Sequence, residues 1–204
     1  MTGYRVGVMA GVVLLAALAR LLPHPPNFAP VTALALFAAA TLRPRWLGVA
    51  LPLAAMFLSD ALIHAGTRLG VWDGWIGGGT GFYHWTAIIY LTVAAVACLG
   101  FLLRDRLGVG SVALAALGGS LLFFVVTNFM VWSESLFGGP LAMYAPTWDG
   151  LVECFAMALP FYRTALMGDL FYCGVMFGGL ALAEKLAPHM VREALPVATG
   201  DEGR

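Results

Sequence analysis

Four ionisable side chains interrupt long apolar stretches of this sequence. Asp60 and His64 are four residues apart, so on a helix they would share one face. Arg163 and Asp169 are six residues apart, which places the carboxylate about 9 Å deeper along a helix. A charge at membrane depth costs a few kcal/mol, so each of the four is a candidate for ligand binding or proton transfer. The competing interpretation is an ion pair between Arg163 and one of the two aspartates that only joins helices.

Aromatic, glycine and polar residues concentrate in three segments, 23–30, 66–85 and 133–148. Long ordered loops of this kind are often functional, and the opposite side of the predicted bundle holds only Trp46 of the six tryptophans. An aromatic belt at the membrane interface is the simpler alternative. We favour an outward-facing ligand pocket. The predicted ligand-binding residues are Asn27, Phe28, Asp60, His64, Trp72, Tyr83, His84, Asn128, Tyr144, Arg163 and Asp169.

Signatures of common enzyme classes are absent from the sequence. It contains no GxSxG elbow, no HExxH helix and no Walker loop. The three cysteines, Cys98, Cys154 and Cys173, form no CxxC pair and are interpreted as small hydrophobic residues. The formal net charge is zero, so no excess of basic residues indicates a nucleic-acid partner. We therefore predict no catalytic residue and no required cofactor.

The composition identifies the elements that must position these residues. Of the 204 residues 61% are hydrophobic and 11% are charged, and the mean hydropathy is +0.87. Soluble domains have about a quarter of charged residues. Stretches near the 20 residues needed to cross a bilayer recur along the chain. They are 6–22, 31–42 (beginning at Pro26 or Val31), 46–64, 82–103, 111–132 and 161–186, with a short half-helix predicted at 151–159 before Pro160.

These stretches predict an all-α integral membrane protein with a bundle of six transmembrane helices. The bundle would form one domain, residues 1–190, followed by a disordered cytoplasmic tail, 191–204. We interpret stretch 6–22 as a first membrane helix, although its length and charge imitate a cleavable signal peptide. Gly3, Gly7 and Gly11 form a ridge of small residues on it, where a neighbouring helix or a partner subunit could pack closely.

Basic residues predict the orientation of the bundle. If six spans alternate, eight basic residues fall on one side and three on the other. The excess marks the cytoplasmic side, so both termini are predicted to lie in the cytoplasm of a bacterium, with the chain crossing its inner membrane several times. The eight are Arg5, Arg43, Arg45, Arg104, Arg106, Lys185, Arg192 and Arg204, and the three are Arg20, Arg68 and Arg163.

Four strings of the sequence carry a resemblance to a known family. They are residues 21–37 (LLPHPPNFAPVTALALF), 58–60 (LSD), 123–132 (FFVVTNFMVW) and 150–161 (GLVECFAMALPF). Together they resemble a small bacterial membrane family related to the substrate-binding S components of energy-coupling-factor (ECF) vitamin transporters. The sequence looks most similar to the solitary cobalamin transporters of the BtuM type. The resemblance extends to about Leu186 and includes the six-helix plan.

This resemblance implies outer loops that enclose a vitamin-like ligand, with cobalamin first among the candidates. Solitary members act without a dedicated energising module, and whether an ECF-type module is a partner here stays open. Members of the BtuM type have an outer-loop cysteine whose thiolate can ligate cobalt, but the segment from Gly66 to Trp85 has none. His84 could replace it as an axial cobalt ligand, or it could be an interfacial anchor.

The sequence thus predicts a substrate-binding transport protein whose partners are a small vitamin-like molecule and the lipid bilayer. Bound cobalamin would be a substrate and not a cofactor. Two other classes stay open at this point. One is a membrane-embedded enzyme that uses Asp60, His64 or Asp169, and the other is a scaffold subunit of a membrane complex.

Overall fold

The computed structural model describes residues 11, 15, 18–21, 25–71, 81–82, 84–139 and 141–186. Within these ranges the secondary structure is entirely helical. Gly11, Leu15 and residues 18–21 are helical, and we call them the N-terminal helical segment. Five α-helices follow, with short 3-10 turns at Phe101–Leu103 and Glu134–Leu136. The α-helices are α1 (Val31–Thr41), α2 (Arg45–Arg68), α3 (Thr86–Gly100), α4 (Val109–Ser133) and α5 (Trp148–Leu186).

Four of these helices are long and apolar enough to cross a membrane. They are α2 with 24 residues, α3 with its 3-10 turn (18), α4 with its 3-10 turn (28), and α5 (39). Helix α1 has 11 residues, or about 16 Å at the usual rise, which is about half of a hydrocarbon core. The described helices therefore include four that qualify as spans by length and composition, and the count of six stays a prediction.

The outward-facing side chains of the long helices are apolar. Leu91 on α3, Leu114 on α4 and Met167 on α5 are 64–70% exposed. Proteins in water seldom expose a continuous apolar surface of this extent. This surface agrees with helices that lie in lipid.

Helix α1 occupies the centre of the bundle. Apart from Thr32 and Thr41 its residues are apolar, and Ala33, Leu36 and Ala39 are completely buried, as expected of a helix covered on every side. Two glycines make this possible. A β-carbon at Gly48 of α2 would lie 2.6 Å from the Ala39 α-carbon, and one at Gly100 of α3 would lie 2.6 Å from the Leu36 carbonyl oxygen. Only glycine permits helix backbones to approach so closely.

The C-terminus of α1 is capped by an arginine from the loop after α3. Arg104 donates through Nε to the Ala39 carbonyl (2.9 Å) and through a terminal nitrogen to the Leu42 carbonyl (2.7 Å). Such contacts satisfy carbonyls that a helix end leaves unpaired. Burial, and then the charges of Arg45 and Arg43, lower the pKa of Arg104. We call this side, defined by Arg43, Arg45 and Arg104, the basic end.

The prediction of a separate half-helix before Pro160 is wrong. Helix α5 is continuous through Pro160 and about 58 Å long at the standard rise. The part before Pro160 is held along α4, because Phe124 meets Phe155 edge to face at 5.4 Å and Cys154 lies 3.4 Å from the Asn128 carbonyl. The packing of this part on α4 thus offsets the backbone hydrogen bond that proline removes.

The predicted glycine ridge lies mainly outside the described residues, which include only its third member. Gly11 is helical, and a β-carbon built on it meets no atom within 4 Å. Gly11 therefore makes no close helix contact within the described part of the chain. A role in receiving another subunit stays a prediction.

Candidate ligand-binding site

A cavity of about 440 Å³ lies in the half of the bundle opposite the basic end. Cavities of a few hundred Å³ with mostly apolar walls and a few polar groups are typical small-molecule sites. We call this half the aromatic end, because segments 25–30, 81–82, 84–85 and 134–139 adjoin it. The lining residues are Arg20, Asn27, Ala29, Val31, Thr32, Met56, Trp85, Ile88, Ile89, Ser120, Phe123, Phe124, Thr127, Asn128, Met130, Val131, Ala158, Phe161, Tyr162, Ala165 and Asp169.

Aromatic rings from α4 and α5 form one wall of the cavity. The rings of Phe124 and Tyr162 are tilted against each other with centroids 4.7 Å apart, and Phe123 and Phe161 also line the space. Trp85, directly before α3, lines it as well. Such a wall suits a flat apolar ligand, because aromatic contacts supply much of the binding energy of sites of this kind.

A tight turn before α1 brings the predicted residue Asn27 to the cavity. Phe28 N–H donates to the Pro25 carbonyl at 3.0 Å, and Asn27 has a positive φ of 64°. Proline second and a left-handed asparagine third are the signature of a type II turn, and asparagine tolerates this conformation well. The string Pro-Pro-Asn-Phe therefore forms the turn by its own local preferences.

Phe28 does not line the cavity but anchors this turn on α5. Its ring centroid lies 5.7 Å from that of Phe171 and 5.6 Å from that of Tyr172. A β-carbon at Gly168 would come within 3.2 Å of the Phe28 α-carbon, so the glycine provides the space for this contact. Phe28 thus affects the cavity through the position that it gives Asn27, and its direct contact with a ligand stays a prediction.

Asp60 is buried and forms an ion pair with a residue that the sequence did not indicate. A guanidinium nitrogen of Arg20 lies 2.8 Å from Asp60 Oδ1, and it also donates to the Ser59 hydroxyl and to the Met56 carbonyl at 3.3 Å. Tyr90 O–H donates to Asp60 Oδ2 at 2.7 Å. Both oxygens of the carboxylate are thereby satisfied. Arg20 lines the cavity with its charge already balanced.

The suggested ion pair between Arg163 and Asp60 or Asp169 is therefore not formed. Arg163 is exposed, and the ion pairs among the described residues are Arg20–Asp60 and His84–Glu134. The six-residue spacing that separates Arg163 from Asp169 corresponds to about 600° of helical rotation, so the two side chains point in different directions.

Asp169 lies in the wall of the cavity and is only 4% exposed. The Ser120 hydroxyl of α4 donates to Asp169 Oδ2, and the Thr32 hydroxyl of α1 also hydrogen-bonds to this carboxyl group. Among the described residues no lysine, arginine or histidine lies within ion-pair distance of it. Asp169 is thus a buried acid whose partners are hydroxyl groups.

Asn128 is the third predicted residue that lines the cavity, after Asn27 and Asp169. Its amide nitrogen donates to the Phe124 carbonyl at 2.7 Å, and Thr127 in the same turn donates to the Phe123 carbonyl at 2.8 Å. These bonds fix both side chains on α4. The cavity thus receives predicted residues from three separate parts of the chain, namely Asn27, Asn128 and Asp169.

A family model matches residues 2–190 of the chain, nearly its whole length. The chain belongs to DUF6580. That family is described as a family of unknown function. No curated protein and no solved structure matches the chain.

The two histidines predicted for the site do not line the cavity of this DUF6580 chain. The His64 ring lies 5.9 Å from that of Phe82. His84 is 57% exposed at its side chain, and its Nε2 lies 3.0 Å from Oε1 of the buried Glu134. No group of three metal-binding side chains occurs among the described residues. Ligation of cobalt by His84 stays a prediction, and the geometry gives this imidazole another partner.

The remaining predicted residues are distributed as follows. Tyr144 is half-buried in the loop before α5 and does not line the cavity. Trp72 and Tyr83 lie outside the described residues.

Sequence reasoning missed Arg20, Thr32 and Ser120. Arg20 carried a usable signal, because it lies within the apolar stretch 6–22 and contradicts the basic bias, which is typical of a residue with a buried acidic partner. Thr32 and Ser120 carried none, since a hydroxyl in an apolar helix usually bonds to its own backbone. Only the packing of α1 and α4 against α5 brings these two to Asp169.

Proposed function

We propose that this chain is a substrate-binding membrane transport protein for a vitamin-like small molecule, with six membrane helices in the inner membrane of a bacterium. The observation that carries the proposal is the 440 Å³ cavity, whose aromatic walls hold a few fixed polar groups. The resemblance to solitary relatives of ECF S components puts cobalamin first among the ligands. The need for an energising module is left to experiment.

The position of the cavity supports uptake from outside. It lies in the half of the bundle opposite Arg43, Arg45 and Arg104. Basic residues favour the cytoplasmic side, so this arrangement opens the cavity toward the external side of the membrane. A ligand that arrives from outside would meet Trp85 and the turn at Asn27 first.

Binding is a better account than catalysis for the groups at hand. Asp60 is occupied by Arg20 and Tyr90, and His64 is not at the cavity. A general base must be within hydrogen-bond reach of the group that it deprotonates. Asp169 meets the cavity, but its described partners are hydroxyl groups that hold it in place and not a nucleophile–base pair. The enzyme alternative therefore has less support.

Cobalamin makes a specific demand on this site. It is larger than the drug-sized ligands for which a cavity of this volume is typical, so the mouth would have to open further between the loops.

If His84 ligates the cobalt, the absorption spectrum of bound cobalamin should differ between wild type and His84→Ala. If the corrin is held by contact alone, the two spectra should be the same.

The proposal is tested by measuring ligand retained by the full-length protein. Protein purified in mild detergent is analysed for bound small molecules by mass spectrometry, and cobalamin is titrated by calorimetry. Ala165→Phe places a ring in the cavity, whereas Met167→Phe, on the outward face of the same helix, is the matched control. We expect the retained molecule to be lost from Ala165→Phe alone, with the melting temperatures of both variants near that of wild type.

Two outcomes would overturn parts of this proposal. Equal retention by Ala165→Phe and wild type would show that the cavity is not the binding site. Absence of any retained molecule, together with no heat of binding for cobalamin, would remove the transport proposal for this ligand.

A further inference from the structure

The described lining of the cavity includes one acidic side chain without a basic partner. Its charged lining residues are Arg20 and Asp169. Arg20 lies 2.8 Å from Asp60, so the charges of this pair cancel. Asp169 has no such partner in the described part of the chain. Asp169 is therefore the acidic group of the described lining that a basic ligand can pair with.

Two hydroxyl groups and the N-terminus of α1 lie close to the Asp169 carboxyl group. The hydroxyls of Ser120 and Thr32 both hydrogen-bond to the Asp169 carboxyl group, and a carboxylate can accept hydrogen bonds on either oxygen. Thr32 lies in the first turn of α1, where the positive end of the helix dipole stabilises a nearby anion. The first turn of α1 contains no acidic residue, and the acidic side chain near it is Asp169 of α5.

A buried carboxylate without a cation is costly, and native structures usually pair such groups. A ligand with a positive charge would supply the missing partner on binding. Aromatic rings of the same cavity suit such a ligand, because Phe124 and Tyr162 line it as a tilted pair with centroids 4.7 Å apart. Aromatic faces attract cations, most strongly when the contact is shielded from water.

We propose that the cavity selects flat organic molecules with one positive charge, namely aromatic ammonium ions or cationic heterocycles, whose charge lies against Asp169. This inference rests on the proposed function, since it names the class of substrate for the same cavity, and a ligand of this class would replace cobalamin as the first candidate. It assigns Arg20 to a structural pair with Asp60 and not to an anionic ligand.

Three bicyclic probes of similar size test the sign of the charge on wild-type protein. They are 1-methylquinolinium (cation), 1-methyl-2-quinolone (neutral) and 1-naphthoate (anion), titrated by calorimetry into full-length protein in detergent. The cation should bind at least ~10-fold more tightly than the neutral probe, the equivalent of ~1.4 kcal/mol, and the anion most weakly. Because wild type alone gives this comparison, the test does not depend on whether a variant folds.

Asp169→Asn then locates the charge. This variant should bind the cation only as tightly as the neutral probe, and its affinity for the neutral probe should equal that of wild type. Glu153→Gln, which removes an exposed carboxylate from the same helix, is the matched control and should change neither affinity.

Equal affinities of the cation and the neutral probe, or a cation affinity that Asp169→Asn leaves intact, overturn the charge inference and leave the cavity as a binding site. Preference for 1-naphthoate overturns it as well, since Arg20 would then bind the ligand. Failure of all three probes to bind folded protein at millimolar concentration overturns the inference. If mass spectrometry still finds a retained molecule in that case, the proposed function survives.

Discussion

The guanidinium of Arg20 lies 2.8 Å from Oδ1 of Asp60 and joins the N-terminal helical segment to the middle of α2. Tyr90 of α3 bonds the other oxygen of the same carboxylate. Three parts of the chain therefore depend on one buried acid. This network forms the part of the cavity wall to which Arg20 belongs.

Removal of one member of this ion pair should lower the stability of the protein much more than removal of both. Arg20→Gln leaves Asp60 charged and buried, which should lower the stability by about 3 kcal/mol, whereas Arg20→Gln with Asp60→Asn should recover most of the loss. Thermal unfolding in detergent measures the difference. Arg163→Gln, which removes an exposed arginine outside any described ion pair, is the control and should be nearly neutral. Equal melting temperatures for the single and double variants would contradict a structural role of the pair.

The burial of α1 leads to a second prediction. Gly100→Ala puts a β-carbon 2.6 Å from the Leu36 carbonyl oxygen, so α1 and α3 must separate and the protein should lose about 2 kcal/mol of stability. Gly118→Ala is the matched control, because its β-carbon lies 3.9 Å from the Leu99 side chain, an ordinary contact. Unfolding temperatures of the two variants provide the measurement. If Gly100→Ala is as stable as Gly118→Ala, the close approach of the two helices is not required.

Much of the fold could be predicted from local patterns. The stretch 111–132 predicted α4 within two residues of its ends, and 46–64 predicted most of α2, because long apolar runs between charged turns define membrane helices. Pro160 misled the prediction, since a proline usually ends a helix where no neighbour supports it. Here the packing of Phe155 on α4 supplies that support.

The site was only partly predictable, because pairing depends on the arrangement of the helices. Asp169 and Asn128 could be found from single positions, since polar side chains in apolar stretches are unusual. Their partners could not. Spacing along one helix suggested Arg163 as a partner of Asp169, whereas the packing brings Ser120 to this carboxyl group from another helix.

The basic end predicts the topology of the chain. Arg43, Arg45 and Arg104 are gathered on the side opposite the cavity, so this side should be cytoplasmic. Reporter fusions after Arg104 and at the C-terminus should both give cytoplasmic signals, and one after position 78 should give an external signal. An external C-terminus would contradict the even number of spans and reverse the direction in which the cavity opens.

The contact between Phe28 and Gly168 should control ligand binding more than stability. A β-carbon at Gly168 comes within 3.2 Å of the Phe28 α-carbon, so Gly168→Ala should push the turn outward and displace Asn27, which lines the cavity. Gly174→Ala on the same helix meets nothing within 4 Å and is the control. Alanine favours a helix over glycine by up to about 1 kcal/mol, so Gly174→Ala should gain stability, and Gly168→Ala should gain less because the strain offsets it. Calorimetry with the tightest-binding ligand should show at least ~10-fold weaker affinity for Gly168→Ala and an unchanged affinity for Gly174→Ala. If both variants bind like wild type, the position of the turn does not shape the site.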